Sequence, residues 1–289
     1  MSDDGPCVTL RRVPTDLSNY AAVLLDLDGT LYHEDHALPG AVALVRRLQS
    51  QGRPYACLTN STSSPVRLVE RLSRMGVEIE PDHIYTAAAA ACDFVLTQTG
   101  QRTGNDTGDA PPTARPRPRV YNLATEGIAE MLDGLVHWVQ TAGEPCDAVI
   151  VGAPVNVYAT DDRRRVALQL LRKKARLIGI CADRVYPSPR GIEFGAGALS
   201  HYLAYAANTV PTFTGKPQPI FFNELCARLG VAPDQCVLIG DNLESDIAGG
   251  KAMGMRTILT LTGVTRRRDM IGAPPEMQPD AIVEDLMEL

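Results

Sequence analysis

The 289-residue sequence predicts an α/β protein, a doubly wound parallel-sheet core with a second α/β domain inserted into it. Three observations carry that expectation. Short apolar runs that stop at turn residues alternate with segments of helical spacing from residue 21 to residue 76. A second alternation of the same kind occupies residues 87 to 211. Beyond Thr214-Gly215-Lys216-Pro217 the first pattern resumes. The core segments are therefore 1–86 and 212–289, with residues 1–19 a loosely held arm, and the insert is 87–211.

Taken in order, Val23-Leu24-Leu25-Asp26-Leu27 reads as a buried strand that ends on acids. Val42, Val45 and Leu48 recur at helical spacing over 41–51, and Gly52 is a natural stop. Tyr55-Ala56-Cys57-Leu58 is the next strand, followed by a helix over 65–75 with Val66, Val69 and Leu72 expected on one face. In the insert, a helix over 87–96 leads to 101–119, which is rich in Gly, Pro, Thr and Arg and reads as a surface loop. Its Arg115-Pro116-Arg117-Pro118-Arg119 run is charged enough for docking but suits a solvated loop better. Strands are expected over 120–123, 148–151 and 177–180, and helices over 163–174 and 198–207. The resumed core has a helix over 219–229 and strands over 235–239, 257–261 and 281–283.

Composition narrows the function. The apolar fraction of 45 % supports a buried interior, and the net charge of -6 argues against a nucleic-acid polymer as partner. Seven cysteines, scattered and without a Cys-x-x-Cys pair, indicate neither a disulfide framework nor a zinc site and suit a reducing cytoplasm. No stretch has the length of a membrane span, so no membrane partner is expected.

Four stretches carry chemistry. Alternation along the first strand puts Asp26 and Asp28 on one face, where two carboxylates stay ionised only with a cation or a shared proton. The same acids would also suit an ordinary strand-to-turn junction. Thr59-Asn60-Ser61 offers hydroxyls, an amide and backbone N–H groups at a strand end, as a phosphate requires and as a helix cap also supplies. Lys216, between Gly215 and Pro217, could set an ammonium against phosphate charge, although a lysine in a turn needs no ligand. Gly240-Asp241-Asn242-Leu243-Glu244-Ser245-Asp246 follows another apolar strand, with Asp241 placed to share a metal with Asp26. Asp246 would sit in the first turn of a helix, where a carboxylate is favourable in any case. Oxygen donors of this kind favour Mg²⁺. His33-x-x-His36 reads as a solvated loop.

In this order, these stretches resemble the motifs of the haloacid dehalogenase (HAD) superfamily of phosphotransferases. The forms Leu25-Asp26-Leu27-Asp28-Gly29-Thr30-Leu31, Leu58-Thr59-Asn60-Ser61, Gly215-Lys216-Pro217 and Gly240-Asp241-Asn242 narrow the likeness to subfamily IIA. Those are the NagD and p-nitrophenyl phosphatase-like hydrolases, with a C2-type α/β cap between the second and third motifs. The resemblance implies a Rossmann-like core and Mg²⁺-dependent hydrolysis of a small phosphomonoester through an aspartyl-phosphate. Asp26 would be the nucleophile and Asp28 the general acid and base. Asp26 and Asp241 would bind the metal with the backbone carbonyl of Asp28, and Asp246 would support it. Thr59, Asn60 and Lys216 would hold the phosphate. In the cap, Asp183 is the candidate for the substrate, with Arg184, Tyr186 and Arg190 beside it.

The chain departs from the subgroup at Cys181-Ala182, where Asn-Pro is common, and at Phe194, which stands for a proline. Nucleoside monophosphates, glycerol phosphate, phosphoglycolate, sugar phosphates and pyridoxal phosphate all stay open as substrates. The oligomeric state is open too, with a homodimer through the cap one expectation. A different class, a non-catalytic phosphometabolite-binding or regulatory protein on the same fold, is weighed against by the intact acid pair. Gly195-Ala196-Gly197 could suggest a dinucleotide loop, but Ser200 stands where a third glycine belongs.

Overall fold

The protein is described from a computed structural model covering residues 16–98, 116–153, 157–188 and 191–289. The expectations for residues 1–15, for 101–115 of the surface loop and for Arg190 lie outside the described residues.

In chain order the first elements are β1 (Ala22–Asp26), a short hairpin of β2 (Tyr32–His33) and β3 (His36–Ala37), and α1 (Ala41–Ser50). Then come β4 (Tyr55–Thr59), α2 (Pro65–Arg74), β5 (Ile84–Thr86) and α3 (Ala87–Gln98). They are followed by β6 (Arg119–Leu123), α4 (Glu126–Met131), β7 (His137–Trp138), β8 (Ala148–Val151), α5 (Asp161–Arg172) and β9 (Arg176–Gly179). The hairpin β10 (Val185–Ser188) and β11 (Gly191–Phe194) precedes α6 (Ala196–Ala207), β12 (Thr212–Phe213) and α7 (Pro219–Leu229). The chain closes with β13 (Cys236–Gly240), α8 (Ala248–Ala252), β14 (Arg256–Thr260) and β15 (Ala281–Val283).

These elements form two compact units. The first comprises residues up to Leu58, Val69–Ile84 and Phe222–Leu289, and the second comprises Thr59–Leu68 and Tyr85–Phe221. The first unit is built on a six-stranded sheet of order β15-β14-β13-β1-β4-β5. Its central strands pair in parallel, with Leu25 opposite Ile239 and Asp26 opposite Leu58. Every residue of β1, β4 and β13 is buried, as both-faced parallel strands demand. On α1 the buried stripe is Ala41, Leu44, Val45 and Leu48. On α2 it is Leu68 and Leu72, and Val66 is exposed, so the face expected from Val66 is not the one that packs.

The second unit has its own parallel sheet of order β12-β9-β8-β6-β7. Alternation divides its side chains cleanly. Ala148 and Ile150 of β8 pack with Ala88, Ala91, Val95 and Ile128 of α3 and α4. Val149 and Val151 pack with Ala167, Leu170 and Leu171 of α5 and with Leu199 and Leu203 of α6. The segment 212–221, read from the sequence as core, clusters with this unit because β12 adds to β9, pairing Thr212 with Ile178 and Phe213 with Gly179. Residues 59–68 do so as well.

Candidate active site

The first unit gathers acids at the carboxyl edge of its sheet. The register of β1 with β4 and β13 brings Asp26 and the Gly240-Asp241 step to the same edge. There Asp26, Asp241 and Asp246 each offer a carboxylate oxygen within 4.8 Å of the others, and all three residues are buried. Backbone and hydroxyl donors reach each of them. Thr30 Oγ1 donates to Asp26 Oδ2 at 3.4 Å, the Val264 N–H to Asp241 Oδ2 at 2.5 Å, and the Asn242 N–H to Asp246 Oδ2 at 3.1 Å. Like charges held this close in a low dielectric require a cation or a proton.

Local structure explains each placement. Asn242 caps the wide π-helical turn Leu243–Ile247, its Oδ1 accepting the N–H groups of Glu244 at 2.9 Å and Ser245 at 3.1 Å. That turn carries Asp246 back under Gly240, where a Cβ would meet the Asp246 carboxyl carbon at 2.5 Å. Gly29 has φ +88 and a side chain on it would strike the Asp241 carboxylate, so both conformation and space require glycine. Thr262 Oγ1 donates to the Gly29 carbonyl at 2.6 Å and fixes the turn after Asp28. Asp28 lies beyond the end of β1 and is exposed, whereas Asp26 is buried. Cys57, on β4, stays protonated: burial, and then the Asp26 charge, push its thiol up. No thiolate competes there as a nucleophile.

The second unit gathers donors. The Ser61 N–H donates to Thr59 Oγ1 and the Ser63 N–H to Ser61 Oγ, both at 3.1 Å, giving a run of hydroxyl-supported turns after β4. Asn60 Nδ2 donates to the Lys216 carbonyl at 3.1 Å and to both oxygens of Asp183 at 3.3 Å. The segment bearing Lys216 hangs from the end of β9: the Thr214 N–H donates to the Gly179 carbonyl at 3.1 Å and Thr214 Oγ1 to the Ile180 carbonyl at 3.3 Å. Gly215 is pressed between Asn60 Oδ1 at 2.7 Å and the Ile180 carbonyl at 2.8 Å of a would-be Cβ, so no larger residue fits before the lysine. Lys216 is itself buried, at 3 % exposure.

Asp26, Asp28, Asp241 and Asp246 thus belong to the first unit, and Thr59, Asn60, Lys216 and Asp183 to the second. Within the first, Asp246 contributes an oxygen to the acid cluster itself, a closer part than the support expected of it. Within the second, Asp183 sits against Asn60 (a partner that sequence spacing gives no means of finding). Its loop is held by the glycine turn before α6, where the Gly197 N–H donates to the Asp183 carbonyl at 3.0 Å and the Gly195 N–H to the Arg184 carbonyl at 2.9 Å. The space a Cβ would take at these glycines is filled by the Ala182 and Asp183 carbonyls, so the turn serves chain packing rather than a dinucleotide. Arg184 is exposed and Tyr186 half-buried. His33 and His36 face each other across the β2–β3 hairpin, both exposed.

The chain is similar to known proteins over most of its length. Residues 23–135 match the model of the haloacid dehalogenase-like hydrolases, and residues 213–289 match a second HAD-hydrolase-like model. The 5'-nucleotidase YutF of Bacillus subtilis is 29 % identical over 255 residues, covering 88 % of this chain and 92 % of its own. Among solved structures, NagD from E. coli K-12 superposes with a TM-score of 0.79 at 26 % identity, over 94 % of this chain and 98 % of its own. A glycerol phosphate phosphatase from Mycobacterium tuberculosis, solved in complex with magnesium, gives 0.77 at 27 % identity, over 93 % and 76 %. The chain belongs to the haloacid dehalogenase-like hydrolases, in the subfamily IIA that includes NagD and the p-nitrophenyl phosphatases. It is an enzyme of the phosphatase class.

Proposed function

We propose that the protein is a Mg²⁺-dependent phosphomonoester hydrolase that works through an aspartyl-phosphate on Asp26. The observation that carries the reading is the buried trio Asp26, Asp241 and Asp246 at one sheet edge. A protein that only bound a phosphate anion would gain nothing from three buried negative charges there. Hard carboxylate oxygens at close quarters fit Mg²⁺, which takes few protein ligands and keeps several waters. Asp26 and Asp241 would hold it with the Asp28 carbonyl, and Asp246 would complete or orient the set. The metal when bound supplies charge neutralisation between nucleophile and phosphate.

The side chains do the rest. Asp26 attacks phosphorus, the ester oxygen leaves, and Asp28 gives that oxygen a proton. Asp28, now a carboxylate, takes a proton from the water that attacks the aspartyl-phosphate, and inorganic phosphate and free Asp26 result. The exposure of Asp28 suits a residue that must exchange protons with solvent. Thr59, Asn60 and Lys216 hold the non-bridging oxygens, whose charge the ammonium offsets. The insert acts as a cap and selects the substrate, a small phosphorylated metabolite: a nucleoside monophosphate, glycerol phosphate, phosphoglycolate or a sugar phosphate.

The test is phosphate release from a panel of these esters, with and without Mg²⁺, by the wild type and by Asp26→Asn. Mg²⁺-dependent release by the wild type and none by the variant is the expected result. Release from no ester would favour a phosphometabolite-binding protein instead.

A further inference from the structure

The loop that follows β4 is gripped from a direction that none of the four motifs includes. Beyond Thr59 and Asn60 it continues as Ser61, Thr62, Ser63 and Ser64 and then enters α2. Helix α4 of the insert and Thr125, its N-cap, hold this loop and the first turn of α2. Ser64 Oγ, on a residue only 4 % exposed, donates to Glu130 Oε2 at 3.1 Å. Arg67 donates through Nε at 3.1 Å and Nη2 at 2.5 Å to Glu130 Oε1, and through Nη2 at 2.8 Å to Glu126 Oε2. Thr125 Oγ1, just ahead of the helix, donates to the Thr62 carbonyl at 2.9 Å. Gly127 lets the two backbones meet, since a Cβ there would lie 2.9 Å from the Ser64 nitrogen and 3.2 Å from the Thr62 oxygen.

We infer that Glu130, with Gly127 and Thr125, forms a clamp that positions the phosphate-gripping residues Thr59 and Asn60. Glu130 is a positioning residue here, since it acts through Ser64 and Arg67. The inference rests on the proposed phosphatase reading and extends it to residues 125–130. Exposed ion pairs such as those of Arg67 contribute little to global stability, so their value is geometric. The hydroxyl-supported turns from Thr59 to Ser63 are short and internally bonded, so a shift at Thr62 or Ser64 is passed back to Thr59 and not absorbed. Arg67 also neutralises Glu126 and Glu130, whose charges would otherwise repel a phosphate from this loop.

The experiment compares wild type, Glu130→Ala, Glu130→Gln, Ser64→Ala and the double variant Ser64→Ala/Glu130→Ala, with Asp162→Ala on the exposed face of α5 as control. Each is assayed for kcat and KM on p-nitrophenyl phosphate with Mg²⁺, for inhibition by inorganic phosphate, and for thermal midpoint. Glu130→Ala is expected to raise KM and the phosphate inhibition constant about tenfold, with kcat within about threefold, as loss of uniform phosphate binding requires. Glu130→Gln, which keeps an acceptor for Ser64, recovers most of that loss. The double variant is no weaker than Glu130→Ala alone, because the two residues share one interaction. An unchanged KM and inhibition constant in Glu130→Ala, or strictly additive losses, overturns the clamp while leaving the phosphatase reading intact. A wild type that neither hydrolyses the ester nor binds phosphate overturns both.

Discussion

The two compact units of this protein use the carboxyl edges of parallel strands in opposite ways. In the first unit that edge concentrates negative charge: Asp26, Asp241 and Asp246 are buried within one ligand's reach of one another. In the second, Thr59–Asn60, where the chain leaves β4 of the first sheet, and the segment Thr214–Lys216, which hangs from β9, present an amide, hydroxyls and a lysine. On the proposed reading the first arrangement holds a cation and the nucleophile, and the second holds the phosphate anion. Parallel strands make both available at little cost, since each strand ends at the same edge and its following loop is free to carry chemistry.

The largest effect follows from removing the proposed nucleophile from the acidic edge. Asp26→Asn should lower phosphate release by at least about 10³-fold, as loss of a covalent nucleophile does, with the circular dichroism spectrum unchanged. Full turnover by that variant would end the division of roles between Asp26 and Asp28. Chelation sharpens the same comparison. Removing divalent metal should abolish turnover reversibly, and Asp246→Asn should raise the Mg²⁺ concentration for half-activity by about 10–100-fold, measured by Mg²⁺ titration of the rate. If only Asp241→Asn had that effect, Asp246 would be a structural acid of the Leu243–Ile247 turn.

The acidic edge was largely legible in the sequence because its residues are contiguous with strands that have strong patterns. Asp26 ends an apolar run, and Asp241 follows another. The donor edge was legible only as isolated residues. Lys216 stands out between Gly215 and Pro217, but the strand that positions it, Thr212–Phe213, is two residues long and has no periodicity to read. That is why the sequence places 212–221 with the core, whereas their contacts lie with the second sheet. Asp183 could be picked from a motif, but its bond to Asn60 spans 123 positions and no local rule anticipates it. Helix α4, only six residues long, is too short to show a helical period in the sequence. On α2 the apolar spacing of Val66, Val69 and Leu72 competed with that of Leu68 and Leu72, and packing chose the second.

On the donor side, Lys216→Met tests whether the ammonium acts in the transition state or merely binds. Methionine keeps the buried volume and removes the charge. The expected loss is about 10²-fold in kcat/KM, carried by kcat as well as by KM, as for a group facing developing charge. A rise in KM alone would make Lys216 a simple anion anchor and would narrow the contrast between the two edges.

The smallest effect concerns an acid at the other edge of the first sheet. Asp280 lies just ahead of β15 and is surrounded by donors: Oδ2 accepts the Thr257 N–H at 2.9 Å and its hydroxyl at 3.1 Å. Arg256 and Lys251 lie 3.2 and 3.7 Å from Oδ1. Burial by itself would raise this carboxyl, but the Thr257 N–H, the Lys251 charge, the Thr257 hydroxyl and Arg256 together hold it below the usual range. A pKa lower in the folded than in the unfolded chain means that ionised Asp280 stabilises the fold above the unfolded value of about 3.9, and that this is lost as pH falls through the folded value. Asp280→Asn should therefore cost about 1–2 kcal/mol at pH 7, or roughly 2–8 °C in thermal midpoint. The gap to wild type should narrow in thermal melts as pH falls below the unfolded carboxylate value and through the lower folded one. A gap independent of pH would mean that the loss is one of hydrogen-bond geometry. A carboxylate ringed by its own donors is a stability element, whereas three buried carboxylates with oxygens within 4.8 Å of one another suit the cation proposed for them.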